Sequence, residues 1–301
     1  MQGQSALIAG ATGFIGRRLA RALRAGGSQT RCLVRDPAAA ADLERIGCEL
    51  RTGDVLKPET LRGAGEGCDV AYYLVHSMGR GSDGGFADQD RRGAAAFARM
   101  AAAEGVRRVV YLGGLGGDDA RTSAHLRSRH ETAQVLAAEG PPLTYFRAAM
   151  VVGPESAGFL TLLYLVRRLP VMVAPAWLRT ATQPIAIDDV LSYLLEAPRR
   201  PAREVQIGGP DVLPYGEMLD RLAAALGRRA PVKVPVPLLS PRLSSLWLGL
   251  VTPVDTGVVR PLVDGLQTET IVRDPSGAAL FDVTPMSFDS ALQAALAEGV
   301  K

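Results

Sequence analysis

Lysine, histidine and cysteine are scarce in these 301 residues, at three each, and each shortage removes a class of explanation. Cys32, Cys48 and Cys68 are odd in number and show no Cys-x-x-Cys spacing, so neither a disulfide framework nor a zinc or other metal site is expected. A reducing, cytoplasmic compartment follows from that usage. With lysine only at Lys57, Lys233 and Lys301, the formal charge of +3 comes from dispersed arginines and no basic arm forms. Nucleic acid is therefore not an expected partner. No uninterrupted apolar run reaches the ~18 residues of a membrane span. MQGQSALIAG is no charged leader ahead of an apolar core, so neither a span nor a secretory signal is expected.

What is present is apolar material for a core, 47% of the residues, arranged in alternating short strands and helices. Strands are expected at Ser5–Gly10, Thr30–Val34, Cys48–Thr52, DVAYYLVHS, RRVVYLGGL and LTYFRAAMVV. Helices fall between them. RRLARALRAGG repeats Leu19, Ala22 and Leu23 at helical spacing before Gly26–Gly27, and others cover Pro37–Ile46, Phe86–Glu104 and the segment with HLRSR up to Gly140. The alternation predicts an α/β fold, a Rossmann-type doubly wound parallel sheet over residues 1–150 with 183–208 returning to it, and a smaller C-terminal substrate lobe over 151–301.

Gly10, Gly13 and Gly16 stand between the first strand and the first helix. Their tasks are a tight turn, a close backbone approach to a pyrophosphate, and close packing of helix on strand. The helix N-terminus adds free N–H groups and a positive dipole, so a dinucleotide is expected here. The second strand ends CLVRDP, where a carboxylate would hold a ribose 2′-hydroxyl and an arginine would pair a 2′-phosphate. Arg35, with Arg17 after the last glycine as a second guanidinium, favours NADP(H) over NAD(H). The opposing reading leaves Arg35 solvated and Asp36 on the ribose. Asp54, in TGDV, either accepts the adenine amino proton with Val55 against the ring or makes an Asx-turn. Thr12, Phe14 and Ile15 in the turn, and Leu74 and Val75 at the end of the fourth strand, complete the expected cofactor set.

AGATGFIG, GDV, VVYLGG, RAAMVVGP, PIAIDDV and EVQIGGPDVLPYGEM occur in the order found in extended and atypical short-chain dehydrogenases/reductases, which the chain resembles over nearly its whole length. YYLVHSM and HLRSR bring it closest to an atypical bacterial NAD(P)H-binding subgroup, related to the NmrA-like and complex I-associated members. That resemblance implies that HxxxR occupies the place of the usual catalytic YxxxK. None of the seven tyrosines has Lys four residues later. Tyr164 has Arg168 at that spacing but follows the sixth strand, and the usual Ser at the end of the fifth strand is replaced by Gly113-Gly114-Leu115.

His125 and Arg129, four apart on a helix, project from one face, while Arg127 points elsewhere. Transfer of the family roles makes His125 the proton donor or carbonyl anchor and Arg129 the ribose and electrostatic element. Arg129 can only donate hydrogen bonds, and a guanidinium beside His125 favours its neutral form. The alternative is a capping or packing His125 with a solvated Arg129. His76, at the carboxyl end of the fourth strand, is the second catalytic candidate, and His130 is expected to be exposed. Met150, Phe159, Leu162, Tyr164, Met172, Trp177 and Trp247 would give an apolar cleft if they line it, or else form ordinary core. PVPLLSPRLSSLWLGLVTPV is too interrupted to span a membrane but suits peripheral lipid contact. The expected protein is a monomeric or homodimeric NADP(H)-dependent oxidoreductase acting on an apolar carbonyl-type small molecule. A non-catalytic sensor or assembly protein and a redox-neutral isomerase or cyclase are the alternatives.

Overall fold

The computed structural model describes residues 3–76, 86–116, 123–235 and 265–299. The N-terminal part runs β1 (Ser5–Ala9), α1 (Phe14–Ala25), β2 (Gln29–Val34), α2 (Ala41–Arg45), β3 (Glu49–Thr52), β4 (Val70–Tyr73), α3 (Phe86–Ala103), β5 (Arg108–Gly114), α4 (Ala124–Glu139) and β6 (Leu143–Ala148). After it come β7 (Val151–Val152), α5 (Ala157–Arg168), β8 (Val171–Ala174), β9 (Ala181–Thr182), β10 (Ile185–Ala186), α6 (Ile187–Glu196) and β11 (Glu204–Ile207). The described elements end with β12 (Leu213–Pro214), α7 (Tyr215–Ala225), β13 (Val232–Pro235) and α8 (Phe288–Ala297).

Seven strands form one sheet in the order β11-β6-β5-β4-β1-β2-β3, and every pairing in it is parallel. Both faces are covered, which is why the strands are apolar runs rather than alternating ones. In β1, Ala6 and Ile8 face a layer with Leu19 and Leu23 of α1 and Val190 and Leu194 of α6. Leu7 and Ala9 face the opposite layer, with Phe97 and Ala101 of α3 and Leu136 of α4. Each such enclosed Leu or Phe contributes about 1.5–3 kcal/mol relative to exposure. β1 has β2 on one side and β4 on the other, so the order reverses there and opens a crevice at the carboxyl ends of those strands.

A separate apolar cluster holds the C-terminal lobe together. Phe159, Leu162 and Leu165 of α5 pack with Met218 and Leu222 of α7, Leu292 of α8, Met172 and Trp177. Segment 183–208 supplies α6 to one face of the large sheet and β11 to its edge.

Two expected elements are divided. LTYFRAAMVV is not one strand: β6 stops at Ala148, and β7 pairs in parallel with β10 instead of continuing on β5. Met150 marks the hand-over, its carbonyl accepting from the Ile185 N–H at 3.0 Å. Apolar residues on both sides of the break conceal the change of partner. The Pro37–Ile46 helix splits into a 3-10 turn, Ala38–Ala40, and the five-residue α2. Asp36 opens that turn by accepting the Ala38 N–H at 3.0 Å through its carboxylate.

Among the described residues no helix is long and apolar enough to cross a membrane. Trp247 and residues 236–264 of the Pro-rich region lie outside the described residues.

Candidate active site

The turn after β1 is shaped by what its glycines cannot carry. Gly10 has φ of +87°, and a Cβ there would meet the Leu74 carbonyl oxygen at 2.5 Å. A Cβ on Gly16 would run into the Gly10 carbonyl, with the Ala11 Cα at 2.9 Å, so this glycine lets α1 lie against the end of β1. Gly13 differs. A Cβ built on it meets nothing closer than the Gly10 carbonyl at 3.4 Å, so its empty space faces outward. Gly13 is also the N-cap of α1, with no side-chain cap and no acidic residue in the first turn. The Phe14, Ile15 and Gly16 N–H groups at this helix start have no intrahelical acceptor. An open cradle rimmed by unsatisfied donors fits a pyrophosphate, and these residues would hold it. Thr12 is exposed beside the cradle, while Phe14 lies under the Arg18 guanidinium, 4.9 Å from its ring centroid.

The end of β2 sorts the charged candidates. Arg17 turns toward α2, with its guanidinium paired to Asp42 and bonded to the Ala39 carbonyl at 3.0 Å. Hydrogen bonding from Arg17 holds the Asp42 carboxyl below the usual carboxylate range. Arg17 is thus already partnered, whereas Arg35 is exposed and has no hydrogen bond or ion pair among the described residues. Asp54 accepts the Leu56 N–H at 3.0 Å in an Asx-turn. Val55 is buried under α3 with Leu61 and Phe97, in the core rather than on an open face. Leu74 and Val75 are half-buried where the chain leaves β4.

At the neighbouring strand ends a polar cluster forms. Ser123 caps α4 by accepting the Leu126 N–H at 3.3 Å, which orients the first turn. Leu126 then fills the space above Gly114 and Gly116; a Cβ on Gly116 would lie 2.9 Å from it. No side chain extends from the strand where the ordinary family keeps its serine, because Leu126 occupies that place. One turn on, Arg129 is buried, at 8% exposure. Its Nε donates to His125 Nε2 at 3.3 Å, and its Nη1 sits against the ring nitrogens of His76. The structure therefore brings His76, His125 and Arg129 together from two elements. Ser128, on the same helix face, bonds Asp90 of α3 at 3.2 Å and fastens the two helices behind them.

Burial and the adjacent Arg129 push the His125 imidazole down to about 3, and the same causes, with His125 added, hold His76 well below the ordinary histidine range. Both rings are neutral near pH 7. Because Arg129 donates to Nε2, the His125 proton resides on Nδ1, and that N–H is the group left to donate to a ligand oxygen. The cluster supplies a permanent cation and a neutral donor without an acid of ordinary strength. It suits the stabilisation of a negatively charged oxygen.

The expectation for His130 fails for a physical reason, and packing decides between the two readings of the apolar lobe residues. His130 is not exposed: it is half-buried, 6.2 Å from the Tyr145 ring, and its Nδ1 is enclosed without a hydrogen-bond partner. Gly113 makes the room, since a Cβ there would meet Tyr145 at 2.8 Å. Phe159, Leu162, Met172 and Trp177 belong to the lobe's own core, and Tyr164 packs under the Arg168 guanidinium. Met150 is half-buried and packs against that core. Sequence reading missed Leu126, Ser128 and Tyr111, whose ring is stacked on Tyr145 at 5.3 Å. The available signal was polar His125, Ser128, Arg129 and Thr132 at the spacing where a sheet-facing helix carries apolar residues.

The parallel sheet, the glycine cradle at its switch point and the polar cluster beside it define a dinucleotide-binding Rossmann protein. Comparison with known proteins agrees. The model of the NAD(P)H-binding family matches residues 10–150. The chain is 27% identical over 291 residues to a ceramide reductase of Caulobacter vibrioides, spanning 93% of this chain and 89% of that protein. It is 31% identical over 144 residues to the photosystem II assembly factor Ycf39 of Cyanophora paradoxa, or 48% and 44% of the two chains. Among solved structures, a nucleoside-diphosphate-sugar epimerase from Staphylococcus aureus superposes with a TM-score of 0.74 at 15% identity, over 96% of this chain and 100% of that one. A UDP-glucose 4-epimerase from Thermotoga maritima gives 0.72 at 15% identity, over 97% of each; at such identities the likeness is one of fold. Residues 10–150 thus match the NAD(P)H-binding family within a Rossmann fold, in a chain that has no Tyr-Lys pair at the spacing of four.

Proposed function

We propose that the protein is an NADPH-dependent reductase of a carbonyl-type small molecule, with Arg129 and His125 holding the oxygen that becomes negative during hydride transfer. The observation that carries this reading is the buried Arg129 between two neutral imidazoles, with no carboxylate within ion-pair distance among the described residues. A cation enclosed without a counter-charge is costly, and an oxygen that gains charge in the transition state relieves that cost. When bound, the cofactor supplies the hydride. The carbonyl π pair then settles on oxygen, the Arg129 guanidinium and the His125 Nδ1–H stabilise it, and a proton from water completes the alcohol. The full-length likeness to a protein described as a ceramide reductase supports reduction as the direction. NADPH is favoured by Arg35, which has no partner among the described residues, and by Asp36, whose carboxylate is already engaged in its own turn.

The competing reading is a nucleotide-bound assembly or sensing protein. It is favoured by the absence of any group in the cluster that gives up a proton readily near pH 7, and by the likeness to Ycf39 over about half the chain. The deciding experiment follows NADPH oxidation against ketones, enones, quinones and imines. Turnover of one class, reduced about 10²- to 10³-fold in Arg129→Met as for loss of an oxyanion donor, is expected. NADPH binding with no turnover of any class would leave the sensing reading. Wild-type turnover in Arg129→Met would remove this cluster from the chemistry.

A further inference from the structure

Beyond the nucleotide crevice lies a cavity of about 440 Å³, bounded by Leu115 and Gly116 at the end of β5, Gln206 of β11, the turn Ala176–Arg179, and residues 267–273. Its outer wall is an extended strap. The Thr270 N–H donates to the Ala181 carbonyl at 3.2 Å, the Gln183 N–H to the Thr270 carbonyl at 2.9 Å, and the Val272 N–H to the Gln183 side chain at 2.9 Å. Thr182 and Thr270 share a buried hydroxyl hydrogen bond of 2.6 Å. Leu266, Thr268 and Thr270 are thereby turned inward, and Gln267, Glu269 and Arg273 outward, along a wall of the cavity.

Two donors face this space, the Arg179 guanidinium and the Gln206 amide, beside the Gln267 amide and the Thr180 hydroxyl, which can donate or accept. Glu269, its carboxylate, is paired with Arg273 at 3.2 Å. Gln206 spends its amide oxygen on the Arg273 and Asp274 N–H groups, at 2.7 and 3.2 Å, which leaves its NH₂ as a donor. Arg179, which also lines the cavity, has no hydrogen-bond or ion-pair partner among the described residues. A ligand group that complements a free guanidinium and a free amide NH₂ is rich in acceptors and negatively charged.

Gly116 joins this cavity to the polar cluster. It forms part of the cavity, its carbonyl is held by Arg147, and Leu126 of the helix carrying His125 rests on it. We infer that the cavity receives an anionic end of the substrate, a carboxylate or phosphate, with Arg179 as its principal specificity determinant. The inference rests on the reductase reading for the position of the reacting carbonyl. It replaces a uniformly apolar substrate with an amphiphilic one.

The test uses NADP⁺-saturated protein and three probes: an oxo fatty acid, its methyl ester, and the matching oxoalkyl phosphate. Calorimetry on wild type, Arg179→Gln and Arg179→Lys should show the acid or the phosphate binding at least tenfold more tightly than the ester. That preference should be lost in Arg179→Gln and largely kept in Arg179→Lys, and comparison of the two anions distinguishes a carboxylate site from a phosphate site. NADPH affinity should be the same in all three proteins, since Arg179 is exposed and lies outside the cofactor site, and that measurement certifies the fold. Equal affinity for acid, phosphate and ester, or a charge preference that survives Arg179→Gln, overturns the assignment. The turnover arm is separate. Anion-selective binding without NADPH oxidation of any probe would retain this site and refute the reductase reading, whereas turnover without anion selectivity would do the reverse.

Discussion

His125→Gln is the substitution in which the electrostatics of the cluster can be measured without a substrate. Burial beside Arg129 keeps the native imidazole neutral down to about 3. In the unfolded chain it takes up a proton near the ordinary histidine value of 6.5. Below that pH the unfolded state binds more protons than the native state, so unfolding free energy falls as the solution is acidified. Nothing changes above about pH 7, where the ring is neutral in both states. Between pH 8 and pH 5 the difference is about 1.5 pH units at roughly 1.36 kcal/mol each, or ~2 kcal/mol. Residual solvation of a half-buried ring reduces this to about 1–2 kcal/mol. A glutamine oxygen can accept from Arg129 Nε as Nε2 now does, so the variant removes the titration and keeps the hydrogen bond. Urea unfolding followed by circular dichroism at both pH values should show wild type losing that much more stability than His125→Gln. His76 is common to both proteins and cancels in the comparison. Identical losses would refute the reasoning, because they would mean that His125 titrates in the native state as it does in the unfolded chain.

Other consequences concern the cofactor crevice. Gly13→Ala should leave thermal stability within a few degrees of wild type and weaken NADPH binding at least tenfold, since the added methyl enters open space meant for phosphate. Gly16→Ala should instead lower stability by about 1–3 kcal/mol, because its methyl meets the Gly10 and Ala11 backbone of the turn after β1 and α1 must shift. Calorimetric binding and thermal melts on the pair separate the two roles; matching behaviour would contradict them. Arg35→Ala should reduce the preference for NADPH over NADH by about tenfold, the value of one charge-assisted contact, when both dissociation constants are measured. An unchanged ratio would remove Arg35 from a 2′-phosphate site.

The parts legible in the sequence were those set by local pattern. Gly10, Gly13 and Gly16 lie between an apolar run and a helical repeat, which is enough to locate the switch point. The proposed pair was visible as a pair, because His125 and Arg129 share a helix face and no tyrosine has Lys four residues later. The remainder depended on contacts between distant segments. Nothing near Arg17 announces that Asp42 will pair with it, which leaves Arg35 without a partner among the described residues. Nothing in LTYFRAAMVV shows that β7 will leave β6 for β10. The apolar lobe residues read equally well as a cleft or a core, and packing decided for core. The donors around the cavity were the least visible. QTETIVR reads as an ordinary polar stretch until Ala181, Gln183 and Gln206 take up its backbone groups. Those long-range bonds orient Gln267, Glu269 and Arg273 along a wall of the cavity that Arg179 also lines, and so alter the class of molecule that the cavity suits.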